Sequence, residues 1–388
     1  MVALTRVLVC VVLTLFAGAP FVVRAHAELF ETKAGEAFLI DAQTGTILFS
    51  KNADKLIPPA SLAKLMTLEM VFHAIKAGRL TLADKFYISV NAWKKGGAGS
   101  GGSTMFAAVK SSVPLEDLIK GMAVVSANDA CIAVAEGMAG TEDNFAQQMT
   151  ERARRLGLDK SVFRNATGLP EDGEVSTVRE LAMLGLHIWQ DYPEFYHYFS
   201  LPDFKWNKIN QRNRDPLLTM DIGADGMKTG FTDASGYAIV ASAQREGRRL
   251  FLAMSGLSSA AERAEEARKM LAWGLNAFQK SKLFGSDEVV GEAAVFGGAQ
   301  SEVPLKAKGP ISIFVPLTNR DQLTAKVVYK GPLVAPVEEG TKVGTLRVFI
   351  GGTLSQETSL YAAQSVGVGT LYQRAASAME ELAVGWLR

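Results

Sequence analysis

Three short motifs stand in one order along the 388-residue chain: Ser61-Leu62-Ala63-Lys64, Ser126-Ala127-Asn128 and Lys228-Thr229-Gly230. Each is short enough to arise by chance, so the weight lies in their order, spacing and context. Gathered in one site they supply a nucleophile, two candidate proton carriers, an amide and an anchor for an anion. That set suits acyl transfer through a covalent serine ester.

Ser61 follows Pro58-Pro59-Ala60 and is expected to open a helix that runs to about Ala77 and closes at Gly78. Leu62, Leu65, Met66, Phe72 and Ile75 follow helical spacing with further apolar residues between them, so the helix is expected to be buried on most sides. A helix N-terminus offers free N–H groups and partial positive charge, which suit a developing oxyanion. Lys64 lies three residues on and projects from the same face as Ser61. A lysine acts as a base only when neutral, and lowering its pKa from about 10.4 to about 7.5 costs roughly 4 kcal/mol. Burial and a second cation would achieve this, and Lys228 is the candidate cation. Read alone, the motif is equally an N-cap serine with a surface lysine.

Ser126-Ala127-Asn128 falls in a connection between a helix over 115–124 and another from Asp129. It offers a hydroxyl for proton relay and an amide for a substrate peptide group, or simply a turn. Lys228-Thr229-Gly230 is expected just before a strand, where glycine admits a ligand to the backbone while Lys and Thr hold a carboxylate.

Around these motifs, 37–41 and 46–50 read as a hairpin, and so do 237–243 and 248–257. The Gly/Ser-rich stretch 94–104 lacks the Gly-Lys-Ser/Thr ending of a phosphate loop and reads as a surface loop. Thr177 and Glu180 form a capping-box pattern opening a helix that Pro193 ends. A long amphipathic helix is expected over 261–278. From about Gly285 the runs 303–306, 311–315, 323–329 and 345–350 suggest an all-β domain of roughly 80 residues. The last stretch reads as a helix with Leu371, Ala375, Met379, Leu382 and Trp386 on one face.

Composition narrows the function. The chain has 41 Lys+Arg against 40 Asp+Glu, a net charge of +1, so nothing calls for a nucleic-acid partner. His26, His73, His187 and His197 show no metal-ligand spacing, so no metal or cofactor is expected. Arg6, the apolar run 7–19, Pro20 and Ala25-His26-Ala27 read as a secretory signal cleaved before Glu28. The run is short for the alternative, an uncleaved spanning anchor. Cys10 would leave with the signal, and Cys131 reads as a packed core thiol. An exported chain without disulfides fits a bacterial envelope.

The residues 58–67 resemble the active-site helix of the penicillin-binding D-alanyl-D-alanine carboxypeptidases, the low-molecular-mass serine type (peptidase S11). Ser126 to Cys131 resembles that family's second motif, and 225–232 its third. The resemblance runs from about Gly35 to Gln279 and more weakly to the C-terminus. It implies an α/β (α+β) penicillin-recognising serine transpeptidase/β-lactamase-like catalytic domain over 28–280. A small all-β domain over 285–365 and an amphipathic helix over 371–388, a candidate membrane anchor, would follow a signal at 1–27. It further implies that Ser61 attacks the penultimate D-alanine carbonyl of a peptidoglycan pentapeptide and that Lys64 takes its proton. Ser126 and Lys228 would relay a proton to the departing D-alanine. Asn128 would bind substrate, the N–H groups of Ser61 and Phe231 would form the oxyanion hole, and Thr229 beside Gly230 would bind the terminal carboxylate. Arg214 and Arg263 match basic positions near the family's site; their other reading is structural ion pairs. β-Lactams would acylate Ser61.

Two residues depart from the pattern: Phe231 stands where close relatives carry His, and Ala127 where they often carry Gly. Two other functions share this chemistry. A β-lactamase-like hydrolase needs a deacylating acid, and the pattern of Glu171 and Glu174 in the 168–174 loop does not match one. A low-turnover muropeptide-binding protein is the other, suggested by Phe231. The resemblance places the chain in the periplasm, peripheral on the outer face of the inner membrane. Arg374 and Arg388 balance Glu380 and Glu381, so anchoring by the last helix would rest on apolar area. Its rival is docking on the β domain or on a partner.

Overall fold

The computed structural model describes residues 30–317 and 323–384. The expected signal segment 1–27, with Trp386 and Arg388, lies outside them.

Every residue of β1 (Glu36–Asp41) is buried, which requires a layer on each side. β2 (Ile47–Lys51) returns beside it as the expected hairpin. After Pro58-Pro59 a 3-10 turn (Ala60–Ala63) runs directly into α1 (Lys64–Lys76). The short strands β3 (Lys85–Tyr87) and β4 (Ser112–Pro114) pair as a ribbon, with α2 (Val90–Gly96) between them. Residues 94–96 of the Gly-rich stretch are therefore helix, not loop. Ser89 caps α2 by accepting from the Ala92 N–H at 2.9 Å. A Cβ on Gly96 would lie 2.3 Å from the Asp129 nitrogen, so only glycine lets α2 rest on the second motif.

Three helices follow: α3 (Leu115–Val125), α4 (Asn128–Ala139) and α5 (Glu142–Arg155). α6 (Val178–Asp191) starts at Thr177, whose hydroxyl accepts from the Glu180 N–H at 3.1 Å. Only half of the capping box forms, because the Glu180 carboxylate accepts instead from Ser161 Oγ and the Lys160 N–H. Pro193 opens the short α7 (Pro193–Tyr196). The ribbon β5 (Asp203–Trp206) and β6 (Ile209–Arg212) leads to β7 (Ala224–Thr232), β8 (Gly236–Arg245), β9 (Arg248–Leu257) and α8 (Ala260–Asn276).

The main sheet runs β2-β1-β9-β8-β7 and is antiparallel throughout. Alternate residues face opposite layers. Phe38, Val240, Phe251 and Ala253 meet the helices α1 and α3–α6, while Leu39, Ile239, Leu252 and Met254 meet Met270 and Leu271 of α8. β7 forms one edge. Lys228, Thr229 and Gly230 lie inside this strand, opposite Val240, Ile239 and Ala238, not before it as expected. The motif looks like a turn in sequence; pairing to β8 along one side keeps it extended.

The amphipathic helix ends at Asn276, and Phe278, expected within it, opens β10 (Phe278–Phe284). Its ring packs edge-on against Trp273, 4.8 Å between centroids. Then come β11 (Gly291–Phe296), β12 (Glu302–Lys306), β13 (Ile311–Pro316), β14 (Leu323–Tyr329), β15 (Leu333–Val334), β16 (Lys342–Ile350) and β17 (Thr353–Ala362). β10 pairs with β13, and the others form a sheet ordered β14-β16-β17-β12-β11-β15. The two units are fastened at the β1–β2 turn. Phe314 N–H donates to Thr46 Oγ1 at 3.1 Å and Gln356 Nε2 to the Thr44 carbonyl at 2.8 Å. Arg248 lies 3.7 Å over the Phe314 ring while pairing with Asp41. The last helix, α9 (Leu371–Val384), touches the β unit near its start, where Gln373 Nε2 donates to the Ala299 carbonyl. Leu371, Met379 and Leu382 are more than two-thirds exposed. Among the described residues no helix is long and apolar enough to cross a membrane.

One buried ion pair ties this helical layer together. Glu69 on α1 accepts from Arg152 Nε and Nη2 at 2.9 and 2.7 Å and from the Tyr192 hydroxyl at 3.0 Å. Burial pushes its carboxyl up, but hydrogen bonds from His187 and Arg152 outweigh this and hold it below the ordinary 4.5. Arg152→Ala leaves that charge without its main partner and is expected to cost about 3–5 kcal/mol, measured by denaturant unfolding. A depressed carboxyl contributes stability that is full above its unfolded pKa and lost as pH falls through the folded one. The gap between the wild type and the variant should therefore close in acid below 4.5.

Candidate active site

Ser61 sits within the 3-10 turn, not at the start of an α-helix as expected. Residues i and i+3 of a 3-10 turn eclipse one another, so the Lys64 side chain lies directly over Ser61. Lys64 Nζ donates to Ser61 Oγ at 3.0 Å and also to the Thr167 carbonyl. The turn closes on itself through Leu62 N–H to the Pro59 carbonyl at 3.1 Å.

Lys64 is fully buried, and burial holds its amine below the ordinary lysine range; Cys131 and Glu174 oppose the shift and Arg214 adds to it. Lys228 is pushed down further, by burial first and then by the charges of Lys64 and Arg214. Lys64 and Lys228 repel one another, as the sequence suggested, and Arg214 is a further cation bearing on both. Both lysines bear on Cys131, and burial pushes its thiol up to about 12 despite them.

Ser126 ends α3 in the left-handed region, at φ 63°. Ser126 is buried, and its Oγ has no hydrogen-bond partner among the described residues. The amide oxygen of Asn128 is likewise buried without one. Asp129 fixes the segment ahead of them, accepting from Thr104 Oγ1 at 2.7 Å and from the N–H groups of Met105 and Ala107. The Asn128 N–H donates to the Ser103 carbonyl at 2.8 Å. The second motif is held rigidly while its own polar atoms stay free.

On the opposite side β7 carries Lys228, whose Nζ donates to the Thr229 carbonyl at 2.8 Å. A Cβ on Gly230 would lie 3.2 Å from Leu62 Cγ and 3.3 Å from Ala60 Cβ, so this glycine lets β7 rest against the Ser61 turn. Ser61, Ser126, Thr229, Gly230 and Phe231 line one cleft of about 410 Å³. Arg214 and Arg263 complete its wall with Ser103 and Tyr237. Phe231 is half exposed, its ring 4.4 Å from that of Tyr237, and Arg263 lies 5.6 Å over the other ring of that pair. Lys64, Asn128 and Lys228 are buried behind the lining. All ten residues singled out in the sequence thus meet at one place, and the cleft is cationic.

Behind Lys64 lies a segment from which sequence reasoning weighed only Glu171 and Glu174, as deacylating acids, and missed Asn165 and Thr167. Thr167, Asn165 and Glu174 are all buried there, and no catalytic motif contains them. The usable signal was Gly168 with the nearby Asn165, a turn pattern. A Cβ on Gly168 would lie 1.8 Å from the Ala60 carbonyl oxygen.

A buried lysine on a serine hydroxyl, a second serine across the cleft and an edge strand bearing Lys-Thr-Gly define a penicillin-recognising serine enzyme. Residues 22–258 match the D-alanyl-D-alanine carboxypeptidase family and 278–368 match the penicillin-binding protein 5 C-terminal domain. Among similar proteins, the D-alanyl-D-alanine carboxypeptidase DacC of Escherichia coli is 35% identical over 93% of this chain and 91% of its own. Penicillin binding protein 5 from Haemophilus influenzae is 33% identical, with a TM-score of 0.73, covering 87% of this chain and 99% of that one. Penicillin-binding protein D2 from Listeria monocytogenes, solved in a cefotaxime-bound form, is 29% identical with a TM-score of 0.55 over 64% of this chain and 99% of that one. The chain belongs to the serine-type D-alanyl-D-alanine carboxypeptidases, and its activity is that of the family.

Proposed function

We infer that the chain removes the terminal D-alanine from peptidoglycan stem pentapeptides through an ester on Ser61. The observation that carries this is Lys64 Nζ at 3.0 Å from Ser61 Oγ, in a cleft shared with Ser126 and Thr229. Ser61 Oγ attacks the carbonyl carbon of the penultimate D-alanine as neutral Lys64 takes its proton. The N–H groups of Ser61 and Phe231 receive the oxyanion. Ser126, with Lys228 behind it, passes a proton to the departing amine as the C–N bond breaks. Water then hydrolyses the ester and returns the hydroxyl. Asn128 holds the substrate amide, while Thr229, Arg214 and Arg263 hold the terminal carboxylate. Edge strand β7 suits an extended peptide, since its outer side is open to strand addition.

The β-lactamase reading is weakened, because no carboxylate lines the cleft among the described residues. A β-lactam would therefore remain on Ser61 as a slowly hydrolysed adduct. Phe231 replaces a polar side chain with an apolar ring at the cleft mouth, and turnover distinguishes an enzyme from a binding protein.

The domain limits follow the same reading: signal 1–27, catalytic domain 28–280, β domain 285–365 and helix 371–388. The chain is exported to the periplasm, and the exposed Leu371, Met379 and Leu382 support peripheral contact with the inner membrane. Intact mass with and without a penicillin, alongside D-alanine release from a pentapeptide, tests these points. Loss of residues 1–27, one adduct at Ser61 and steady D-alanine release are expected; no adduct under native conditions sinks the reading. The same assay on a chain ending at Thr370 should find full activity but less protein with the membrane fraction.

A further inference from the structure

A chain of buried hydrogen bonds runs behind Lys64 to a carboxyl that the proposed reaction does not use. Lys64 Nζ donates to the Thr167 carbonyl. Thr167 is held by Asn165, whose Oδ1 accepts from the Thr167 N–H at 2.9 Å, Thr167 Oγ1 at 2.7 Å and the Gly168 N–H at 2.8 Å. Asn165 is fixed in turn through Nδ2, which donates to Glu174 Oε2 at 3.0 Å and to the Leu169 carbonyl at 2.9 Å, with Glu171 Oε2 at 3.2 Å. Glu174 is 5% exposed, and its second oxygen has no partner among the described residues. The far end of the segment is pinned beside the Ser61 turn, where Ser176 and Ile57 exchange two backbone hydrogen bonds of 2.9 Å.

We propose that Glu174 is a positioning residue for Lys64, acting through Asn165 and the Thr167 carbonyl, and that its charge sets how readily Lys64 accepts the Ser61 proton. The proposal rests on the reading of Lys64 as the base. Glu174 is not among the residues lining the cleft, so its route to the reaction runs through Asn165 and Thr167. Its two effects are separable. As a hydrogen-bond acceptor it keeps Asn165 in register in either protonation state. As an anion it favours the ammonium form of Lys64, in which no proton can be taken from Ser61.

Burial, reinforced by Glu171, pushes the Glu174 carboxyl up to about 8 against the opposing Asn165 hydrogen bond and the charge of Lys64. Glu174 is thus mainly neutral at pH 7 and gains its charge just above. The other groups facing Lys64 are Cys131 on α4, Glu142 on α5, Arg214 before β7 and Lys228 on β7. Cys131 titrates far higher, near 12. Burial raises Glu142 as well, but a carboxyl shared by the wild type and every Glu174 variant cancels in the comparison.

The test compares Glu174→Ala and Glu174→Gln with the wild type by the acylation rate constant and non-covalent affinity for a chromogenic β-lactam, from pH 6 to 10. Removing the acceptor frees Lys64 Nζ to drift, and a misplacement near 1 Å costs about 100-fold. Glu174→Ala is therefore expected to acylate roughly 10- to 100-fold more slowly with unchanged affinity. Glu174→Gln keeps the acceptor and should match the wild type at pH 7. It should lack the inflection near 8 and acylate faster than the wild type above it. An alanine variant at the wild-type rate, or a glutamine variant as slow as alanine, overturns the proposal. If Glu174→Ala does not fold, the Glu174→Gln profile decides alone, and a retained inflection is the adverse result. A wild type that forms no Ser61 adduct instead removes the reading beneath it.

Discussion

Ser61→Ala is expected to leave a folded protein that binds ligand and forms no covalent adduct, with D-alanine release down on the order of 10⁶-fold. The change removes one oxygen, and Lys64 keeps its second acceptor at Thr167. Alanine suits the 3-10 turn, which already holds Ala60 and Ala63. Stability should move by no more than about 0.5 kcal/mol. Intact mass after exposure to a β-lactam, read beside a thermal melt, checks both halves. A variant that still gains the adduct mass would place the nucleophile elsewhere.

Gly168→Ala should damage the same site from outside any motif. Gly168 has φ +73°, and an added Cβ would fall 1.8 Å from the Ala60 carbonyl oxygen and 2.4 Å from its carbon. Neither atom is the end of a flexible side chain, so the backbone must part, and Ser61 is the next residue. Strain and overpacking together are expected to cost roughly 2–5 kcal/mol, with acylation slowed by about 100-fold or more. Gly140→Ala is the control. Its φ is +78°, but nothing lies within 4 Å of its added Cβ, so it carries the conformational penalty alone, about 1 kcal/mol. Equal stability and acylation in the two variants would count against the close packing.

The parts of this site that sequence reveals are those for which chemistry prescribes residue type at short range. Ser61 and Lys64 must be three apart to touch, and Lys-Thr-Gly must combine a cation, a hydroxyl and an open backbone. What it does not reveal is set by contacts between distant segments. The 3-10 geometry at Ser61 is completed by Gly168 and Gly230, neither of which is local. The extended form of Lys228 to Gly230 depends on β8. Asn165, Thr167 and Glu174 act through hydrogen bonds that no spacing rule encodes. Arg214 and Arg263 face one cleft although three strands, β7 to β9, separate them in sequence. In the β unit, β12, β13, β14 and β16 were legible from their apolar runs. β10, β11, β15 and β17 were not, and in β17 Ser355, Gln356, Glu357 and Thr358 interrupt the pattern.

Arg248 gives the molecule a mechanical property. It holds Asp41 with its guanidinium edge, lies flat on Phe314, and donates to the Leu275 carbonyl at the end of α8. One side chain thereby locks the main sheet, its covering helix and the β unit at a single joint. The β unit then acts as a strut of set length rather than a swinging arm. Under the membrane contact proposed for α9, this joint would set the height of the cleft above the bilayer, and with it the depth of cell-wall polymer from which a peptide is drawn.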